Sequence, residues 1–224
     1  MIQNDVKTYI EATFTTKSYS ELSKNPQTGE SLIKSEKCEA FSFDDIVRSI
    51  FTSNPPASAD AIRFHHNQIY LIEFKSGFTR EITPKTYDPK KCNCPDDTEK
   101  ECLGYKNLLF KNAELEVREL IDSIHLKAID SRWILDRHIG AKCSEIDPPM
   151  RVNYIVVADV VKENPVEALD SMQCDLGKSE NDDNMYTRLK KSLRHYSQVS
   201  SSGEPLAYDY VDVFSLEDFT MQVS

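Results

Sequence analysis

Apolar and polar positions change rhythm several times along this chain, and each change marks an element. Phe43, Ile46, Val47 and Ile50 fall at helical spacing, and Ser42 followed three residues later by Asp45 places a cap at the start of that stripe. Asn54-Pro55-Pro56 ends it, because proline cannot continue a helix. Two short runs follow, Ala59–His65 and Gln68–Lys75, whose apolar residues alternate or cluster as strands do, with His66-Asn67 as the turn between them. Asn67 tolerates positive φ, which a tight hairpin loop needs. From about Gly104 to His138 the helical period returns, carried by Leu108, Leu115, Leu120, Ile124, Ile129 and Trp133. That is enough for two helices or one bent one, with Pro148-Pro149 as the stop. Val152–Val161 is a nearly continuous apolar run, the pattern of a strand covered on both faces. Asn164-Pro165 then starts another helix with a cap and a proline at its first position. Met185–Val199 reads as a basic helix and Tyr208–Phe214 alternates as a last strand.

Between these elements the pattern lapses. Residues 1–16 fit a helix or a strand equally, and Lys17–Gly29 reads as a polar loop. Thr83–Cys102 is rich in Pro, Lys, Asp and Cys and reads as a surface excursion, and Gly177–Asn184 as an acidic loop. The order of helices and strands predicts an α/β fold, a mixed central sheet flanked by helices, in a single domain over residues 1–224.

The chemistry lies in the register of the hairpin. If His65 pairs with Gln68, Asp60 falls opposite Glu73, with Cβ atoms about 5 Å apart on one face. Lys75 is two residues beyond Glu73, so the pleat sends it to that same face. Two carboxylates and a lysine then meet at the strand ends, an arrangement suited to metal-assisted chemistry. Asp60 shares its face with Ile62 and Phe64, and Glu73 with Ile69 and Leu71. Charges at the end of apolar faces are costly unless paired or metal-bound, although a cross-strand salt bridge answers the same pattern.

Asp60 and the closing Glu73-Phe74-Lys75 resemble the PD-(D/E)xK nuclease superfamily, which includes restriction endonucleases and RecB-like nucleases. The helix before the hairpin, and the helix and apolar strand after it, are similar to that superfamily's restriction endonuclease-like αβββαβ core over about residues 35–161, leaving 162–224 as C-terminal helices and a final strand. Ala59 stands where the motif's name has proline, a replacement the family tolerates. The resemblance implies a Mg²⁺-dependent (or Mn²⁺-dependent) hydrolase of DNA phosphodiester bonds, in defence or DNA processing. Asp60, Glu73 and the main-chain carbonyl of Phe74 would bind the metal, and Lys75 would orient or activate the water. A further acid often comes from the preceding helix, where Glu39 and Asp45 are the candidates. A catalytically inert binding or regulatory protein on the same fold, or an RNA-cleaving enzyme, remains open, as does a homodimer.

Composition sharpens this only in part. The net charge of −10 argues against a general nucleic-acid coat protein but leaves room for a local basic groove. Arg188, Lys190, Lys191 and Arg194 on the basic helix are the candidates for backbone contacts, with a solvated helix face as the alternative. The chain has no apolar run of bilayer length, and its N-terminus lacks the basic start and apolar centre of a signal peptide, so cytoplasm is the expected compartment. Cys92-x-Cys94 with Cys102 has some metal-ligand character, and Cys38, Cys143 or Cys174 could supply the fourth thiolate a structural zinc needs, whereas the spacing does not match the iron–sulfur clusters of RecB-like nucleases. Free thiols are the expectation.

Overall fold

The structure is a computed structural model describing residues 6–26, 28–76, 103–142, 150–159, 185–201, 203 and 205–223. The chain divides into two compact units, residues 1–79 with 125–224, and residues 80–124. Of the second unit the described part is helical, the first portion of a helix over Leu103–Ile134.

In the first unit the described elements are α1 (Val6–Thr13), β1 (Thr16–Ser18), α2 (Tyr19–Leu22), β2 (Cys38–Ser42), α3 (Phe43–Ile50), β3 (Ala61–His65) and β4 (Gln68–Lys75). There follow the end of α4 (Leu103–Ile134), β5 (Arg151–Ala158), α5 (Met185–Leu193), β6 (Tyr210–Ser215) and α6 (Leu216–Val223). The six strands form one mixed sheet in chain order. The strands β1 to β4 run antiparallel in sequence, while β4, β5 and β6 are parallel. This is the α/β architecture expected.

The hairpin has the expected register. His65 pairs with Gln68 and Ala61 with Ile72. His66 (φ 45°) and Asn67 (φ 59°) both sit in the left-handed region, the requirement of a two-residue turn whose twist matches its strands. In β5 every residue from Val152 to Ala158 is buried, as a strand covered on both faces demands. Among the described residues two strands separate α3 from α4, and β2 adds a third antiparallel strand ahead of α3.

One face of the sheet packs Ala61, Ile72, Phe74, Ile155, Val157 and Phe214 against Tyr19, Ile33 and Phe219. The rings of Tyr19, Phe74 and Phe219 meet edge to face, with centroids 5.3 to 6.3 Å apart. Each such pair adds about 0.5–1.5 kcal/mol beyond its buried area. On the opposite face lie Ile62, Leu71, Tyr154 and Val156, all fully buried, and in phase with them Glu73. Tyr208 stacks near Tyr154 and donates its buried hydroxyl to the Ala128 carbonyl at 2.6 Å, tying the last turns of α4 to this face.

Several polar signals were more structured than their composition suggested. Within the expected loop Lys17–Gly29, Ser18 and Glu21 form a reciprocal capping box, with Ser18 Oγ accepting from the Glu21 N–H at 3.2 Å and Glu21 Oε2 from the Ser18 N–H at 3.0 Å. Ser215 and Asp218 start α6 in a similar way, an N–H to Oγ bond of 3.1 Å. The basic segment is shorter than Met185–Val199: α5 ends at Leu193 and a single 3-10 turn, Arg194–Ser197, follows. The last strand begins at Tyr210 rather than Tyr208. The expected helix after Asn164-Pro165, the loop Gly177–Asn184, and Cys92, Cys94 and Cys102 lie outside the described residues. No helix among the described residues is long and apolar enough to cross a membrane.

Candidate active site

Asp60 stands one residue ahead of β3 and is held from three directions. Its main-chain carbonyl accepts from the Phe43 N–H at the start of α3 at 3.1 Å. Its Oδ2 accepts from the Phe74 N–H of β4 at 2.7 Å, and its Oδ1 from Lys127 Nζ of α4 at 3.1 Å. The segment leading to it is clamped by the same face of α4. The Ala57 N–H donates to Asp130 Oδ2 at 3.1 Å and the Ala59 N–H to Ser131 Oγ at 2.8 Å. Residues 127, 130 and 131 are neighbours on one helical face, so a single turn of α4 sets the entry to β3.

Glu73 is fully buried. Lys127 Nζ lies 2.9 Å from both of its carboxylate oxygens, and Lys75 Nζ lies 3.5 Å from Oε1. The three expected residues therefore do meet on one face, and α4 adds a fourth, Lys127. Three carboxylate oxygens converge on one point, and an ammonium holds that point.

Burial comes first in the electrostatics. Desolvation and the neighbouring Asp60 push the Glu73 carboxyl up to about 8, against the pull of Lys127 and Lys75. Burial likewise raises Asp60, outweighing Lys127 and the Phe74 N–H. Burial alone would lower Lys127, but the Glu73 and Asp60 carboxylates more than offset it and hold the ammonium charged. These directions pull against each other at one contact, since a protonated Glu73 would weaken its hold on Lys127. Equal 2.9 Å contacts to both oxygens are the geometry of an ammonium on an ionised carboxylate. The charge of Glu73 is the conditional one.

Neither candidate for a further acid joins the pair, and Glu39 lies on β2 rather than on the helix before the hairpin. Asp45 pairs with Lys17 at 2.6 Å, which holds its carboxyl below the usual range, and Ser42 Oγ accepts from its N–H as the cap of α3. Glu39 pairs with Arg63 at 2.7 Å. The acid that reaches Asp60 electrostatically is the intervening Asp44, which accepts a short hydrogen bond from the Ser58 hydroxyl and adds to the upward push on Asp60. Asp44 and Asp45 differ by one residue, and about 100° of helix rotation decides which faces the hairpin.

Lys127 carried a signal that the apolar pattern concealed. Ile129 and Trp133 looked like core, yet they are 52% and 46% exposed. The face of α4 that meets the sheet is instead Ala128, Ser131 and Ile134, all buried, and Lys127 is in phase with it. A lysine among small and apolar residues at helical spacing marks a buried charge and implies a carboxylate partner.

For a metal, the donor chemistry fits: Asp60 and Glu73 offer hard oxygen ligands that already converge. Phe74 turns its N–H toward Asp60, and the carbonyl of the same strand residue points to that side as well. The point of convergence is where Lys127 Nζ sits, and among the described residues no group of three His, Cys, Asp or Glu gathers around a common position. Arg188 and Lys191 on α5 and Arg194 in the turn after it are exposed, and Lys190 is paired with Asp212 at 2.8 Å. Comparisons with protein-family models, with curated proteins and with solved structures returned no match.

Proposed function

We propose that this chain is a metal-dependent nuclease hydrolysing phosphodiester bonds, with DNA as its substrate and a restriction endonuclease-like core formed around α3, β3, β4, α4 and β5. The observation that carries the reading is the convergence of Asp60 and a fully buried Glu73 on one point, with Lys75 at 3.5 Å from Glu73. Burying two carboxylates together costs free energy that a cross-strand contact on a solvated surface would not, and sites of reaction are where such perturbed acids gather. A Mg²⁺ or Mn²⁺ ion held by Asp60, Glu73 and the Phe74 carbonyl would supply a Lewis acid and a bound water that ionises near neutral pH. Asp60, pinned by the Phe74 N–H, keeps one oxygen directed into the site. Lys75 lies two residues along β4 from Glu73, at the edge of the pair, where its ammonium orients the attacking water and offsets charge building on the phosphate.

One observation favours a second reading. Lys127 satisfies both carboxylates without any metal, as a structural ion pair in a catalytically inert binding protein would. The two part in a cleavage assay on plasmid, single-stranded DNA and RNA with Mg²⁺, Mn²⁺ or EDTA. The nuclease reading expects metal-dependent cleavage that falls by about 100-fold or more in Glu73→Ala and in Lys75→Ala. Cleavage that persists in EDTA or survives either substitution contradicts the assignment, and cleavage of RNA alone moves the substrate class.

A further inference from the structure

We propose that Lys127 is the resident counter-ion of the Asp60–Glu73 pair and acts as a gate: a divalent ion binds only by displacing its ammonium. This rests on the reading above in taking Asp60 and Glu73 as ligands, but it does not require the hydrolytic step. Space forbids both cations at once. Lys127 Nζ stands 2.9 Å from both Glu73 oxygens and 3.1 Å from Asp60 Oδ1. A hard divalent cation binds such oxygens at about 2.0–2.6 Å, so it would lie inside the contact shell of the ammonium. The two cations exclude each other.

Charge leads to the same conclusion. With both carboxylates ionised, the state in which they would ligate a metal, Asp60 and Glu73 balance Lys75 and Lys127. A divalent ion added beside both ammoniums would leave a doubly positive buried group. Withdrawal of Lys127 removes one of those charges. Its side chain is 23% exposed, and a flexible four-carbon stem lets Nζ swing outward while α4 stays anchored through Asp130 and Ser131. Lys75 meets one oxygen of Glu73 at the longer distance of 3.5 Å and does not occupy the point of convergence. The gate makes metal binding conditional, and an anionic phosphate arriving with the metal would give the displaced ammonium a new partner.

The test is Mn²⁺ binding by calorimetry to the wild-type chain and to Lys127→Met, which keeps length and removes charge. Mn²⁺ is expected to bind the variant about tenfold tighter or more, since its two carboxylates are left without their counter-ion. Affinity that is equal or weaker in Lys127→Met overturns the gate. Should the variant prove too unstable for titration, its melting temperature with and without Mn²⁺ serves instead: a larger Mn²⁺-induced rise than in wild type supports the gate, and an equal or smaller one contradicts it. Tighter Mn²⁺ binding with no nucleic-acid cleavage keeps the gate and removes the nuclease. Metal-dependent cleavage abolished by Glu73→Ala, with affinity not raised in Lys127→Met, does the reverse. No Mn²⁺ binding by either protein removes both.

Discussion

Glu73 concentrates the cost of this site in one side chain. It is fully buried, and its carboxyl is raised from 4.5 to about 8, first by desolvation and then by Asp60. A group with a folded value above its unfolded one keeps a proton that the unfolded chain has already released. Its contribution to stability is therefore full below about 4.5 and is lost as the pH rises toward 8. Asp60 is raised as well and acts with the same sign. Urea denaturation at pH 5 and pH 8 should show the folded state losing stability over that interval, by an amount on the order of a few kcal/mol. In Glu73→Gln the loss should be smaller, because the amide carries no charge to desolvate. An equally steep loss in the variant would place the cost elsewhere.

Elements, rather than single residues, explain why the constellation is so well placed. The hairpin brings Asp60 and Glu73 together through register alone, and the turn His66-Asn67 fixes that register with two left-handed residues. One turn of α4 then holds the incoming segment through Ser131 and Asp130. Removing the acceptor for the Ala59 N–H in Ser131→Ala should cost about 1–3 kcal/mol in urea denaturation, as expected for a buried donor left unpaired. A neutral result would mean that the entry to β3 is set by the hairpin without help from α4.

The same elements explain what was readable from the chain alone. Asp60, Glu73 and Lys75 could be brought together on paper because strand alternation has a period of two and leaves little freedom once the turn is located. A helix is less forgiving. Asp44 and Asp45 are adjacent in sequence, yet Asp45 pairs with Lys17 and Asp44 with Ser58, partners too distant in sequence for the pattern along the helix to separate the two. Lys127 is masked by Ile129 and Trp133, which place the apolar stripe on another side of the helix, and their exposure shows that size is a poor guide to which side of a long helix is buried. Short capped elements such as α2 and α6 carry too little apolar pattern to stand out, although their capping residues were present.

For the molecule as a whole, an acidic chain with a net charge of −10 exposes Arg188 and Lys191 on α5 and Arg194 in the turn after it, while Lys190 is engaged by Asp212. Among the described residues the parallel half of the sheet ends at β6, whose edge is blunted by side chains: the Val213 N–H donates to Asp212 Oδ1 and the Val213 carbonyl accepts from the Tyr186 hydroxyl, each at 2.8 Å. Such capping discourages strand addition at that edge. In the interior, Asp60 and Glu73 converge on one point. Anomalous diffraction from a crystal of the wild-type chain soaked in Mn²⁺ tests it most directly. One peak is expected, bound by oxygens of both Asp60 and Glu73, with Lys127 Nζ turned out of the position it holds between them. Full Mn²⁺ exposure with no peak there, and with Lys127 still seated on both carboxylates, would contradict it.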